Sequence, residues 1–73
     1  MSIQIVMDHN GDSRHYFSAS DPEALARAEE RFRDLTRQGY TAAVRTGRGQ
    51  ITKIRSFDPD AEEILFFPRL VGG

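Results

Sequence analysis

The residues with the clearest chemical potential are Gly72 and Gly73, at the end of the printed sequence. Glycine has no side chain and reaches backbone conformations closed to other residues. A Gly-Gly end can therefore thread narrow enzyme channels and present its carboxylate for activation. The simpler alternatives are a frayed terminus or an expression scar. The residues that precede the two glycines decide between these interpretations.

A second group with chemical potential lies near the start, where Asp8, His9, Asp12 and His15 are of metal-binding types. The Asp-x-Asn-Gly-Asp string resembles part of a calcium loop, but no bidentate glutamate stands at the twelfth position and no second helix follows. A hairpin turn accounts for the same residues. We expect no metal site.

A third group is Thr46-Gly47-Arg48-Gly49 with Arg45, which could contact a phosphate through amides and guanidinium groups. A phosphate loop needs a strand-to-helix context that is missing here, and a second hairpin turn explains both glycines. The chain also has no cysteine and no Gly-x-Ser-x-Gly signature. We expect neither an enzyme nor a bound cofactor.

The composition limits the class of protein. A chain of 73 residues forms one small domain, too short for a deep cleft. Its net charge of −1 does not favour nucleic-acid binding, and no apolar run has the length of a membrane span. We therefore expect a cytoplasmic protein without a nucleic-acid or membrane partner. Lys53 is the only lysine beside nine arginines, a skew that GC-rich codon usage also explains.

One hairpin and one helix are expected in the first half of the chain. Apolar alternation predicts a strand over Ser2–Met7 and a returning strand over Arg14–Ser18, joined through Asn10-Gly11, where both residues tolerate positive φ. Ser20–Glu23 forms a capping box that starts a helix. The helix has one apolar stripe, formed by Leu25, Ala28, Phe32 and Leu35. It ends at a glycine cap, Gly39.

The second half predicts three further strands. A hairpin of Thr41–Thr46 and Ile51–Phe57 is followed by a single helical turn over Asp58–Glu63. Ile64–Phe67 is then a last strand, apolar on both faces, and Pro68 ends its pairing because proline lacks an N–H.

These elements predict an α+β fold. The first and last strands are apolar on both faces, so they belong at the centre of a mixed sheet, adjacent and parallel, with the helix on one face. That order is a β-grasp, or ubiquitin-like, arrangement. The predicted organisation is a domain over residues 1–68 and a flexible conjugation tail over residues 69–73.

The last strand also predicts a partner surface. If Ile64 and Phe66 face the helix, Leu65 and Phe67 face the open side of the sheet and form a contact patch. Val44 either joins this patch or belongs to the inward face of its strand, together with Tyr40 and Ala42. The opposite register would instead expose Ile64 and Phe66.

The strand order and the ending Arg69-Leu70-x-Gly72-Gly73 resemble ubiquitin, and more closely the single-domain ubiquitin-like proteins of bacterial conjugation operons. Phe-Asp-Pro followed by Ala-Glu-Glu is also similar to the bacterial group. The resemblance covers essentially the whole chain. Val71 stands where ubiquitin has a second arginine, and Pro68 replaces a leucine.

The resemblance implies a protein modifier rather than a catalyst. An activating enzyme would adenylate the Gly73 carboxylate with ATP and magnesium, recognising the tail through Arg69, Leu70 and Val71. A conjugating enzyme would then pass it to target amines as an isopeptide bond, which a deconjugating peptidase would remove. Lys53 would be the lysine acceptor for chain growth.

Two other hypotheses use the same residues differently. A sulfur carrier would hold a thiocarboxylate on Gly73. A non-covalent assembly module would use the outward apolar pair and the unpaired sheet edges, through which homo-oligomers could form. Deletion of Gly73 separates the covalent hypotheses from the non-covalent one.

Overall fold

The structure is a computed structural model that describes residues 1–68. The predicted tail over residues 69–73 lies outside the described residues. Five strands and one helix follow one another along the chain. They are β1 (Ser2–Asp8), β2 (Gly11–Phe17), α1 (Pro22–Arg37), β3 (Thr41–Arg45), β4 (Ile51–Ile54) and β5 (Glu63–Phe67).

The strands form one mixed sheet in the order β2-β1-β5-β3-β4. β1 and β5 are parallel neighbours at the centre, and the other three pairings are antiparallel. The predicted α+β fold is confirmed: a five-stranded mixed sheet packs on one helix in a β-grasp-like arrangement. The helical connection between β2 and β3 allows the chain to re-enter the sheet on the far side of β5.

The core lies between α1 and one face of the sheet. Phe32 of α1 is in edge-to-face contact with Phe66 of β5, with ring centroids 5.7 Å apart. Ile64 and Phe66 have no exposed surface, and they form the core cluster with Phe32 and Ala42. Burying side chains of this size is worth about 1.5–3 kcal/mol each, which makes β5 the main apolar anchor of the sheet.

The first hairpin forms as predicted, but its turn differs in detail. The two loop residues are His9 and Asn10, since Asp8 pairs with Gly11 across the strands. Of Asn10 and Gly11, only Gly11 has positive φ, at 120°. The Asn10 amide donates to Asp8 Oδ1 at 2.8 Å, so the aspartate fixes the turn that was expected to depend on Asn10.

The start of α1 also differs from the prediction. Asp21, not Ser20, is the N-cap, and its carboxylate accepts from the amides of Glu23 and Ala24 at 3.1 and 3.4 Å. Ser20 Oγ instead lies 2.8 Å from Ser18 Oγ. A carboxylate caps the positive end of the helix dipole and accepts from two amides, so it serves this position well. The predicted C-terminal cap is confirmed, with Gly39 at φ 102°.

The second hairpin is shorter than expected because β4 ends at Ile54. Phe57 leaves the sheet and packs its ring against Phe17 and Phe32, with centroids 6.4 and 5.9 Å away. The following acidic segment makes one hydrogen-bonded turn, in which the Ala61 amide donates to the Asp58 carbonyl at 3.2 Å. The turn lies where a helical turn was expected, and no helix is assigned there.

Candidate functional site

The strand that precedes the predicted tail, β5, lies at the centre of the sheet. β5 is bonded to β1 on one side and β3 on the other, and Ile64, Leu65 and Phe66 are all buried. Exposed Pro68 follows the last strand residue, Phe67. The predicted conjugation residues Gly72 and Gly73 and the recognition residues Arg69, Leu70 and Val71 lie outside the described residues. The described part therefore supplies a rigid base at Phe67.

The position of that base is set by strand register. Phe67 pairs with Thr41, the first residue of β3, and Val6 of β1 pairs with Phe66. The end of β5 therefore lies at the same end of the sheet as the loop between β1 and β2. The amino end of β1 lies at the opposite end, because Ile3 pairs with Glu63.

The face of the sheet opposite α1 carries a continuous apolar surface. Ile5 pairs with Leu65 in parallel register, and directly paired residues point to the same face. Every second residue of the two central strands therefore points to this face. We call these apolar residues the open-face surface: Ile3, Ile5, Met7, Leu65 and Phe67.

The open-face surface confirms one of the two predicted registers, but its exposure is uneven. Ile64 and Phe66 face the helix, as predicted, so Leu65 and Phe67 belong to the open side. Leu65 is nevertheless only 2% exposed, while Phe67 is half-buried. Tyr16, paired with Ile3 on the neighbouring edge strand, is 64% exposed and extends the surface. Contacts with a partner would therefore fall on Phe67 and Tyr16 more than on Leu65.

Val44 does not belong to this surface. It packs against the core cluster on the helix side, where its pairing with Ile64 places it. Of the two alternatives for Val44, the inward one is therefore correct. Val44 and Ala42 alternate with Ala43 along β3, and it is Ala43 that pairs with Leu65 on the open side.

Charged side chains border the open-face surface on two strands. Arg14 pairs across the sheet with Ile5 and lies 3.5 Å from Asp12. On the other side, Arg45 Nε lies 3.0 Å from Glu63 Oε2, a buried oxygen that has no hydrogen-bond partner. The exposed Arg14–Asp12 pair contributes about 0–1 kcal/mol to stability. The two pairs place charged groups on both sides of the apolar surface.

Lys53, the predicted acceptor, is exposed on the same face. It pairs with Ala43, which pairs in turn with Leu65, so the three residues form one row across β4, β3 and β5. The residue between the lysine and the open-face surface is therefore only an alanine. The ammonium group of the chain's one lysine is thus presented beside the apolar surface.

The hairpin turns account for the other candidate residues. The Asp8 carboxylate accepts a hydrogen bond from the Asn10 amide of its own turn, and Asp12 forms an ion pair with Arg14. His15 lies on the helix side of β2, opposite Gln4. Within residues 1–68, no group of three or more acidic, histidine or cysteine side chains is placed to hold a metal ion. The Thr46–Gln50 segment is closed by a bond from the Thr46 amide to the Gln50 carbonyl at 2.9 Å, which is a hairpin turn.

A buried polar group was missed by the sequence argument. Gln4 has no exposed surface, and its Nε2 donates to the Ala28 carbonyl of α1 at 2.9 Å. Arg31 Nη1 donates to Gln4 Oε1 at 2.8 Å. Burial, with a smaller contribution from the Arg31 charge, lowers the pKa of neighbouring His15. The available signal was a glutamine at an inward position of a strand predicted to be central.

No protein-family model, no curated protein and no solved structure matches the chain. Among the described residues, α1 is the one helix, and it is neither long nor apolar enough to cross a membrane.

Proposed function

We propose that this chain is a ubiquitin-like protein modifier of bacterial type, the substrate of conjugation enzymes rather than an enzyme. One observation carries the proposal. The central, fully packed strand β5 stops at Phe67, and the sequence continues through Pro68 into Arg69-Leu70-Val71-Gly72-Gly73. A modifier needs this combination of a stable body and a side-chain-free reactive end, with Gly73 as the last residue of the active form.

The chemistry takes place on the Gly73 carboxylate. Attack of a carboxylate oxygen on the α-phosphate of ATP gives an acyl adenylate and releases pyrophosphate. An enzyme cysteine displaces AMP to form a thioester, and a target amine then displaces the thiol to form an amide. The chain contributes no acid, base or metal ligand to these steps. It contributes a carboxylate that enzyme active sites can reach, because two glycines add no steric barrier.

The open-face surface supplies a second point of contact with the enzymes. Phe67 lies at the base of the tail, so an enzyme that holds the tail also meets this apolar surface. Phe67, a half-buried aromatic group at the end of β5, is a suitable anchor for such a contact, while exposed Tyr16 lies at the other end of the surface, level with Ile3. Arg14 and Lys53 at its borders would favour acidic groups on the partner.

The central experiment compares the amino-terminally tagged chain with a Gly73 deletion, each expressed in the native host and purified under denaturing conditions. We expect a ladder of covalent products from the parent chain and none from the deletion. Trypsin cleaves after Arg69, so each acceptor should carry a Leu-Val-Gly-Gly remnant. Circular dichroism of the deletion variant should match the parent, because Gly73 lies six residues beyond the end of β5 in the sequence.

The other outcomes are equally informative. A single species heavier by one sulfur atom would identify a sulfur carrier. Conjugates that persist without Gly73, or the absence of any Gly73-dependent product, would refute the modifier proposal.

A matched pair of surface variants tests the second contact. Phe67→Arg should reduce the yield of conjugates, because a charge at the base of the tail disrupts the apolar contact. Ile51→Arg is the control, since Ile51 is 54% exposed on the same face of edge strand β4 but pairs with Arg45, at the other end of β3 from the Thr41–Phe67 pair. Equal effects of the two substitutions would contradict a specific contact at Phe67.

A further inference from the structure

We infer that the outer edge of β2 binds the same edge of a second copy of this chain, in an antiparallel register centred on Ser13. A two-fold axis at Ser13 then joins the two sheets into one. Every residue that carries this inference belongs to the described sheet, so it stands or falls separately from the proposed function. The relevant features are the unpaired backbone groups of β2 and the charged side chains beside them.

The outer edge of β2 presents unpaired backbone groups. β2 is an end strand, and β1 is its one neighbour among the described strands. The Ile3 amide donates to the carbonyl of Glu62, the residue before β5, so Ile3 and its partner Tyr16 exchange no bonds between β1 and β2. Bonded and non-bonded pairs alternate along an antiparallel ladder. The amides and carbonyls of Asp12, Arg14 and Tyr16 therefore point away from β1.

This edge is also accessible. The four consecutive residues Gly11–Arg14 are exposed, and the side chains of Arg14 and Asp12 are 60% and 50% exposed. A strand edge with unpaired amides and carbonyls is a template for a further strand. β2 has seven residues, whereas the strand at the other edge, β4, has four. β2 is therefore the longer edge for strand addition.

The charges of β2 match those of a second β2. Asp12 and Arg14 lie two residues apart on one strand, so both side chains point to the open face. When two copies pair around Ser13, Asp12 of each copy lies directly opposite Arg14 of the other. Both residues have outward-pointing backbone groups, so each of these pairs exchanges two backbone hydrogen bonds. The strand is thus complementary to itself in charge and in hydrogen bonding.

Other registers of the same two strands match less well. Pairing centred on Arg14 or on Asp12 places like charges directly opposite, which is destabilising. A shift by one residue sets open-face residues of one copy against helix-side residues of the other. In the register centred on Ser13, Gly11 lies opposite His15 on the helix side, and the glycine leaves room for the imidazole. The sequence of β2 therefore favours one register.

The other edge of the sheet is a poorer partner for β2. The open-face residues of β4 are Ile51 and Lys53, and neither is acidic. An antiparallel pairing that sets Asp12 against Lys53 also sets Arg14 against Ile51, so one charge is left unmatched. That contact joins two different edges and would continue into an open chain of copies. A contact between two β2 strands instead closes as a dimer.

The test is sedimentation equilibrium of the chain over about 10 μM to 1 mM, a range suited to weak complexes. We expect a reversible dimer, which is weak because a contact between two edge strands is small. Arg14→Asp and Asp12→Arg each replace both attractive pairs by like charges, so each should weaken dimerisation by roughly tenfold to a hundredfold. An equimolar mixture of the two variants should form a heterodimer, because opposite charges then face each other again.

Two further measurements complete the design. Lys53→Asp is the matched control, since it makes the same charge change as Arg14→Asp at an exposed residue of the other edge strand, and it should leave the dimer unchanged. In the parent chain, hydrogen exchange at the Asp12 and Arg14 amides should slow as the dimer forms, while exchange in β4 should not change. A monomer throughout the range, equal weakening by Lys53→Asp, or unchanged exchange at Asp12 and Arg14 would each overturn the inference.

Discussion

Gln4 offers the sharpest test of the described structure, because a buried amide at the centre of the sheet connects it to the helix. The side chain has no exposed surface, and it bonds Ala28 and Arg31 at 2.9 and 2.8 Å. Gln4→Ala removes both bonds and leaves a cavity. Gln4→Leu also removes both bonds but fills most of the space. The two variants therefore separate hydrogen bonding from packing.

The expected magnitudes follow from these contacts. Two hydrogen bonds contribute about 1 kcal/mol each, and the cavity left by the alanine adds about 1–2 kcal/mol, so Gln4→Ala should cost about 3–4 kcal/mol. A buried leucine regains about 1.5–3 kcal/mol from apolar burial, so Gln4→Leu should lie within about 1 kcal/mol of the parent. For 73 residues the total stability is on the order of 4–11 kcal/mol.

The assay is urea and thermal unfolding followed by circular dichroism. At about 4–8 °C per kcal/mol for a domain of this size, Gln4→Ala should lower Tm by roughly 12–32 °C, and Gln4→Leu by less than about 8 °C. If Gln4→Ala is neutral, the glutamine is not buried as described. If the leucine variant is as unstable as the alanine variant, apolar burial of leucine does not offset the lost bonds to Ala28 and Arg31, and the expected compensation is wrong.

Three further predictions concern single features. Asp21→Ala should cost about 1 kcal/mol in urea unfolding, while Ser20→Ala should cost a few tenths at most, because only Asp21 caps α1; equal costs would contradict this assignment. Gly39→Ala should cost about 1–2 kcal/mol through strain alone, since φ is 102° and no atom lies within 4 Å of an added Cβ; full stability would show that the helix end rearranges. Folding lowers the pKa of His15, so the free energy of unfolding should fall as pH drops below the unfolded pKa of that histidine. His15→Gln should flatten this fall when stability is measured by urea titration at several pH values. An unchanged slope would show that other groups cause the fall in stability.

The sheet topology could be predicted because it depends on patterns that extend over whole strands. Ser2–Met7 and Ile64–Phe67 are apolar on both faces, and only the centre of a sheet buries both faces of a strand. The apolar stripe Leu25-Ala28-Phe32-Leu35 predicts that the helix covers one face of the sheet. Single-residue features were less predictable. Ser20 and Asp21 both suit an N-cap, and the choice between them depends on the exact entry of the chain into the helix.

The surroundings of Gln4 and Val44 could not be predicted for a different reason. A strand that is apolar on both faces gives no alternation, so the sequence alone does not show which face meets the helix. Val44 therefore had two equivalent placements until its pairing with Ile64 was known. The partners of Gln4 lie 24 and 27 residues away along the chain, and contacts at that separation are fixed by helix docking rather than by local pattern.

The same strand, β5, provides both the core and the base of the tail, and this arrangement separates stability from function. Ile64 and Phe66 are fully buried, so changes to them should remove fold and conjugation together. Gly73 is five residues beyond Pro68 in the sequence, so changes to it should remove conjugation alone. Lys53 belongs to neither group, because its exposed side chain adds little to packing but shares a row with Leu65. If the chain is the proposed modifier, its acceptor lysine can vary without loss of the fold, since Lys53 is exposed on the face of the sheet opposite α1.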